Sequence, residues 1–154
     1  MKKSIVFFLL LSVLYGCAQK NGQENKATQL NKESSIVIGS FFAEIKAGNY
    51  RSALSKVLSK NENIDLSDSL TIGLIKKFNS VNELSGKFMS YRLLRKKELD
   101  NDLGVYVYLV KYEKKFYRFT FTFYNNDLAV KVYKFSFDDV IDIELEDGMK
   151  LYVN

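Results

Sequence analysis

The sequence predicts an α+β fold in which N-terminal helices pack on a curved antiparallel sheet of four or more strands. Apolar residues in the first half of the chain recur at helical spacing, whereas from Gly86 onward apolar and polar residues alternate. The connections between the later alternating segments are short, as they are between antiparallel neighbours. The chain has 154 residues, of which 47% are hydrophobic, and this content is sufficient for one packed domain.

Three segments are predicted to be helices, each with one apolar face. The first begins after Ser34 or Ser35 and ends at Gly48-Asn49, because both of these tolerate a left-handed backbone. The second follows directly, and the third begins after Ser67 or Asp68. The predicted buried residues are, helix by helix, Ile38, Phe41, Phe42 and Ile45; Tyr50, Ala53, Leu54, Val57 and Leu58; and Leu70, Leu74, Ile75 and Phe78.

Four strands are predicted, at residues 87–96, 105–112, 116–124 and 128–137. A turn at Lys114-Lys115 pairs the second strand with the third and puts their aromatic residues on one face. The predicted pairs are Tyr112 with Tyr117, Val110 with Phe119, Tyr108 with Phe121 and Tyr106 with Phe123, and on the other face Val105, Val107 and Leu109 against Thr122, Thr120 and Arg118. Because both faces are partly apolar, the sheet is expected to be covered or curved on both sides.

Two details of the C-terminal half concern turns. Asn125-Asn126-Asp127 permits a two- or a three-residue loop, so the register of the fourth strand stays open. A three-residue loop at 146–148 predicts a C-terminal hairpin, because it gives Gly148 the left-handed position that such loops need. Its pairs are Leu145 with Met149, Ile143 with Leu151 and Ile141 with Val153.

The N-terminus has the features of a secretory signal. Lys2 and Lys3 precede an apolar run at residues 5–14, and Gly16 and Cys17 follow it. The run is shorter than the roughly 20 residues that span a bilayer. The ending Leu14-Tyr15-Gly16-Cys17 resembles the lipobox of bacterial lipoproteins.

The lipobox resemblance implies removal of residues 1–16 as a signal peptide and attachment of lipid, including palmitate, to Cys17. Ala18 follows the cysteine where Asp would retain a lipoprotein in the inner membrane, so an outer membrane location facing the periplasm is expected. Residues 17–34 are predicted to be the lipidated N-terminus and a flexible tether, because Leu30 is their one large apolar residue. A polar helix near Leu30 is the alternative, and residues 35–154 are predicted to form the domain.

Composition excludes several kinds of function. The chain contains no histidine and one cysteine, which excludes histidine-dependent catalysis and, if Cys17 carries lipid, a cysteine nucleophile. Without residues 1–16 the chain has 21 basic and 18 acidic residues. This mild charge does not indicate nucleic acid as a partner, and no cofactor or metal is expected.

Four sequence stretches carry a second resemblance. They are Phe42-x-x-Ile45-x-x-Gly48-Asn49-Tyr50-x-x-Ala53-Leu54, Leu84-Ser85-Gly86-Lys87, and the Tyr-Val-Tyr and Phe-Thr-Phe tripeptides of the predicted strands. Together with the order of elements, they resemble the cone-shaped, cystatin-like fold of nuclear transport factor 2 and ketosteroid isomerase over residues 35–137. That fold hosts enzymes, transport factors and binding modules, so it implies no single function.

Three groups of residues are candidate sites. The aromatic residues of the central strands either line an apolar ligand pocket or form a packed core; they are Tyr106, Tyr108, Tyr112, Tyr117, Phe119, Phe121 and Phe123. A basic cluster either faces anionic lipid or an acidic partner, or protects a strand edge; it comprises Arg92, Arg95, Lys96 and Lys97, with Lys111, Lys114, Lys115 and Arg118 near it. An acidic tail, without calcium-loop spacing, is expected to be solvated; it comprises Asp138, Asp139, Asp142, Glu144, Glu146 and Asp147.

These observations predict a lipid-anchored, exported, non-enzymatic domain that binds a protein or a small apolar ligand. Two alternatives are a carboxylate- and tyrosine-dependent enzyme similar to ketosteroid isomerase, and an inhibitor or immunity lipoprotein. A cavity holding a carboxyl group with a raised pKa would favour the enzyme. An exposed apolar patch on a filled cone would favour the inhibitor.

Overall fold

A computed structural model describes residues 28–61, 63–65 and 67–142 of the chain. The helices and strands are, in chain order, α1 (Gln29–Lys46), α2 (Tyr50–Leu58), α3 (Ser69–Ser85), β1 (Phe88–Leu99), β2 (Leu103–Tyr112), β3 (Phe116–Asn125) and β4 (Val130–Asp138). Each strand pairs antiparallel with the next in the order β1-β2-β3-β4. Helices that precede and pack on an open antiparallel sheet confirm the predicted α+β fold class.

Helix α1 begins earlier than the sequence predicts. Its N-cap is Thr28, whose hydroxyl oxygen accepts a hydrogen bond from the N–H of Asn31 at 3.2 Å. Leu30 is fully buried, and its N–H donates to the side-chain oxygen of Asn101 at 3.0 Å. The prediction of a flexible tether is therefore wrong for residues 29–34, and Ser34 and Ser35 lie inside the helix instead of capping it. The polar composition of this segment does not indicate that it is ordered, because only Leu30 and the hydroxyl group of Ser34 attach it to the sheet.

The other helix boundaries follow the sequence closely. The chain reverses at Gly48, whose φ of 80° is left-handed, and Asp68 is the N-cap of α3. Nearly all predicted inward-facing helix residues are buried, which confirms the helical periods; they are Ile38, Phe41, Phe42, Ile45, Tyr50, Ala53, Leu54, Val57, Leu58 and Phe78. Leu74 and Ile75 are half-buried, and the side chain of Leu70 lies outside the described part.

The pairing of β2 with β3 differs from the predicted aromatic register by two residues. The observed pairs are Val110 with Tyr117, Tyr108 with Phe119, Tyr106 with Phe121 and Gly104 with Phe123. The turn residues are Glu113-Lys114, because the N–H of Tyr112 donates to the carbonyl of Lys115 at 2.9 Å. A shift of two residues keeps every side chain on its face. The pairs predicted for the other face follow a register two residues away from that of the predicted aromatic pairs. These pairs, Val105 with Thr122, Val107 with Thr120 and Leu109 with Arg118, are confirmed.

Contacts with the end of α3 explain this turn. Lys87 and Glu113 exchange two hydrogen bonds of 3.0 Å, one from each backbone N–H, and the N–H of Lys114 donates to the carbonyl of Ser85 at 3.0 Å. Gly86 between them has a φ of 77°, and a Cβ there would collide with the carboxylate of Glu113. The β2–β3 turn is therefore attached to the α3–β1 junction, a long-range contact that local turn propensity does not reveal.

The β3–β4 turn has two residues, Asp127-Leu128, since the N–H of Asn126 donates to the carbonyl of Ala129 at 3.3 Å. A bulge between Thr122 and Phe123 shifts the register within the same pair of strands. The loop therefore has two residues instead of three, and it ends at Leu128, one residue after the end of the predicted loop. Of the predicted C-terminal hairpin, Ile141 and Asp142 are outside the sheet, and residues 143–154 lie outside the described part.

The core lies between the helices and one face of the sheet. The ring of Phe41 lies 5.2 Å from that of Phe121 and 5.9 Å from that of Phe119, and Phe78 lies 5.7 Å from Phe119. Such edge and tilted contacts add to the free energy of burial. On the opposite face, alternate β2 residues are half-buried, so the described helices cover one face instead of both.

None of the described helices is long and apolar enough to cross a membrane.

Candidate interaction surface

The aromatic residues proposed as a pocket lining belong to the packed core. Six of them are buried and Tyr108 is half-buried, on the face that the helices cover; the six are Tyr106, Tyr112, Tyr117, Phe119, Phe121 and Phe123. Phe41, Phe42 and Phe78 occupy the space above them. Tyr117 also borders a shallow cleft of about 240 Å³ at the end of α3. The alternative interpretation, a packed core, is the one that the structure supports.

A tyrosine–carboxylate pair, with the tyrosine buried and the carboxylate partly exposed, lies where the start of α1 meets the sheet. The hydroxyl of Tyr106 donates to Glu98 at 2.5 Å and accepts from Ser34 at 3.0 Å. Lys96 lies 3.1 Å from Glu98 and over the Tyr106 ring. Burial raises the pKa of Tyr106, and the bond to Glu98 raises it further. Because the hydroxyl is buried and its bonds are made within the chain, this group attaches α1 to the sheet and offers no position for a substrate.

The shifts in carboxyl pKa within the described part do not favour a catalytic carboxyl group. The side chain of Lys56 lowers the pKa of Glu44, and the hydroxyl of Ser67 lowers the pKa of Asp65. Both shifts stabilise the ionised form, whereas a general acid needs a raised pKa. Within the described residues, no cluster of carboxylate, histidine or cysteine side chains could hold a metal ion.

Strand β1 is the most exposed element of the sheet. It has 12 residues and pairs with β2 on one side, and within the described residues no strand pairs with its other side. Large apolar side chains are exposed along it; they are Met89 at 55%, Tyr91 at 47%, Leu93 at 44%, Leu94 at 37% and Leu99 at 63%. An exposed edge strand with apolar side chains is a template for another strand, whereas bulges and cations restrict such pairing. β1 has register shifts between Phe88 and Ser90 and between Leu93 and Arg95, and its sequence includes four cations. We call residues 88–99 the β1 edge.

The hydrogen bonds of the β2–β3 turn show which backbone groups of the β1 edge point outward. Glu113 donates toward Lys87, on the β1 side, and Tyr112 donates toward Lys115, on the β3 side. Since backbone groups alternate in direction along a strand, the β2 residues with odd numbers point toward β1. Their partners on β1 are Ser90, Arg92, Arg95, Lys97 and Leu99. The residues whose N–H and C=O therefore point away from the sheet are Tyr91, Leu93, Lys96 and Glu98.

The sheet register brings most of the basic cluster to the face opposite the helices. Cross-strand rows on this outer face are Arg92–Leu109–Arg118–Asp138, Arg95–Val107–Thr120–Ser136 and Lys97–Val105–Thr122–Lys134. A column of cations on β1 thus lies beside a column of aliphatic residues on β2. Lys111, opposite Ser90, extends the positive charge of this face.

Other charged residues lie apart from this column. Lys96 is on the helix-covered face, and Lys114 is in the β2–β3 turn. Lys115 pairs with Asp139 at 3.6 Å, and Arg118 with Asp138 at 3.1 Å. The described part of the acidic tail is therefore partly paired with cations; Glu144, Glu146 and Asp147 lie outside it.

The exposed apolar residues of β1 were missing from the candidate sites drawn from the sequence. A signal was present, because the first strand of an antiparallel meander lies at an edge unless a later strand pairs with it. The alternation of Tyr91, Arg92 and Leu93 reads equally well as a strand with a buried face, so exposure of both faces was not evident.

In the part of the chain that the structure describes, fold and surface together define an α+β domain of three helices and four strands, with a filled core and an exposed, cationic edge strand. In comparisons with protein-family models, curated protein sequences and solved structures, no match to the chain was found.

Proposed function

We propose that this chain is a lipid-anchored, exported lipoprotein whose domain binds another protein and is not an enzyme. The lipobox-like ending at Cys17 supports the anchor. The exposed apolar and cationic β1 edge on a domain with a filled core is the observation that carries the binding function, since exposed patches of this kind mark protein contacts. A location in the outer membrane facing the periplasm is part of the same proposal.

An inhibitor or immunity lipoprotein is the second candidate. It is favoured over an enzyme because the core beneath the helices is filled by aromatic rings and the Tyr106–Glu98 pair is already occupied. A likeness to the cystatin-like cone is compatible with helices that precede an open antiparallel sheet. It supports the fold alone.

The anchor is tested by labelling with a palmitate analogue in a host that processes lipoproteins. The unaltered chain should carry the label, and Cys17→Ser should lose it, because the thiol is the expected site of attachment. Equal labelling of the two chains would contradict the anchor.

The binding function is tested with a photo-crosslinking amino acid in the anchored protein. At Leu94, on the β1 edge, it should give a discrete crosslinked species of higher mass. At Ile36, which is exposed on α1, it should give less. A crosslinked yield at Leu94 that is no higher than the yield at Ile36 would contradict a binding function of the β1 edge.

A further inference from the structure

We infer that the β1 edge binds an extended acidic segment of a partner protein, which adds to the sheet as a further strand beside β1. The inference rests on the proposed protein-binding function and names the chemistry of its partner. Strand addition satisfies an edge through backbone hydrogen bonds, and side chains next to the edge set its specificity.

The backbone groups of β1 are the first reason. Tyr91, Leu93, Lys96 and Glu98 direct their N–H and C=O groups away from β2. An extended polypeptide bonds in register to the groups on each side of the bulge between Leu93 and Arg95, whereas the hydrocarbon of a bilayer supplies no partner for them. The edge therefore fits a polypeptide strand better than it fits a lipid surface.

The alternation of side chains is the second reason. Arg92, Arg95 and Lys97 lie on the outer face, and Tyr91 and Leu93 lie on the helix-covered face. A bulge between Leu93 and Arg95 interrupts this alternation, so an added strand follows it on either side of Leu94 and adjusts there. Opposite charges in the resulting side-chain pairs are stabilising. The complementary segment has acidic residues on one face and apolar residues on the other.

The third reason is that Tyr91 is held in place on the helix-covered face of the β1 edge. Its ring stacks on that of Phe42, with centroids 3.8 Å apart and an angle of 5° between the planes, and still leaves the side chain 47% exposed. A rigid, half-exposed aromatic ring loses little conformational entropy on binding. It therefore offers an ordered contact for an apolar side chain of the added strand.

Charge argues against a second copy of this chain as the occupant. β1 carries Arg92, Arg95, Lys96 and Lys97 against one acid, Glu98. Pairing two such edges would bring cations together across the new contact, and like charges directly opposite each other are destabilising. A partner of opposite charge avoids this cost.

The test uses two synthetic ten-residue peptides with the full chain in detergent micelles. One peptide alternates valine with glutamate, and the other alternates valine with lysine. The acidic peptide should bind and the basic peptide should not. Binding of the acidic peptide should slow amide hydrogen exchange at Leu93 and Lys96, whose N–H groups point outward, more than at Arg92 and Lys97, which already bond to β2.

Two substitutions at one position separate backbone from side-chain recognition. Leu93→Pro removes an outward N–H and leaves the bonds to β2 intact, so it should abolish binding of the acidic peptide. Leu93→Thr keeps the N–H and should bind within a few-fold of the unaltered chain. Circular dichroism checks that both variants are folded. Charge reversal by Arg92→Glu with Lys97→Glu should weaken binding about tenfold.

Several outcomes would overturn the inference. The first is equal binding of the two peptides, and the second is slowing of exchange at Leu93 and Lys96 that is no greater than at Arg92 and Lys97. The third is equal loss of binding in both Leu93 variants. The fourth is slowed exchange at the edge of the peptide-free chain that increases with protein concentration, as a second copy would cause. If the peptide test fails but Leu94 is crosslinked to a partner, strand addition is rejected and the proposed binding function is retained. Failure of both tests rejects the binding function itself.

Discussion

Substitution of Leu30 by alanine tests whether residues 28–34 belong to the folded domain. Leu30 is 0% exposed, and its side chain lies against Gly104 of β2. The substitution removes three carbon atoms, worth about 2.4 kcal/mol at about 0.8 kcal/mol for each buried methylene. The cavity that remains raises the expected loss in the free energy of unfolding to about 3 kcal/mol.

Ile36→Ala is the matched control, because Ile36 lies on the same helix and is 61% exposed. Its expected loss is below about 1 kcal/mol. Unfolding in urea, followed by circular dichroism at 222 nm, measures both variants against the unaltered chain. A loss of less than about 1 kcal/mol for Leu30→Ala, or equal losses for the two variants, would refute the assignment of this segment to the domain.

Two further predictions concern pH and backbone strain. Burial raises the pKa of Tyr106 and Tyr112 above that of tyrosine in an unfolded chain, which is about 10. The stability that comes from keeping these two hydroxyls neutral is therefore fully present below about pH 10 and is lost as pH rises further. Urea unfolding at pH 8 and pH 11 should show the decline. Tyr112→Phe should lessen the decline and change stability at pH 8 by less than about 1 kcal/mol, because within the described residues that hydroxyl has no hydrogen-bond partner; an unchanged decline would contradict this. Gly86→Ala should cost about 1–3 kcal/mol, because its left-handed backbone adjoins Glu113. Gly39→Ala, where a Cβ meets no atom within 4 Å, should be neutral or stabilising in thermal unfolding; similar melting temperatures for both glycine variants would count against the strain.

Local periodicity was sufficient to predict the type and order of the helices and strands and the buried faces of α1, α2, β2 and β3. The positions of Phe41, Phe42 and Phe78 follow from helical spacing, and those of Phe119 and Phe121 follow from alternation. The aromatic pairs of β2 and β3 were predicted two residues away from their observed positions, because Glu113 is held by Lys87, far from it in sequence. A shift of two residues leaves each side chain on its predicted face but changes its partner on the neighbouring strand.

The start of the domain and the candidate surface required long-range contacts. Leu30 and Ser34 lie in a polar segment, and their burial depends on Asn101 and Tyr106, more than 70 residues away. The strand identity of β1 follows from its sequence, but the exposure of both its faces depends on where the helices lie across the sheet.

Two kinds of information thus define this protein. Residue order alone predicts an α+β domain behind a lipobox-like signal and excludes histidine chemistry, because periodicity and composition are local properties. Whether the aromatic residues enclose a pocket, and where the sheet remains open to a partner, depends on packing. Helix aromatics fill the space above β3, and they leave the β1 edge exposed.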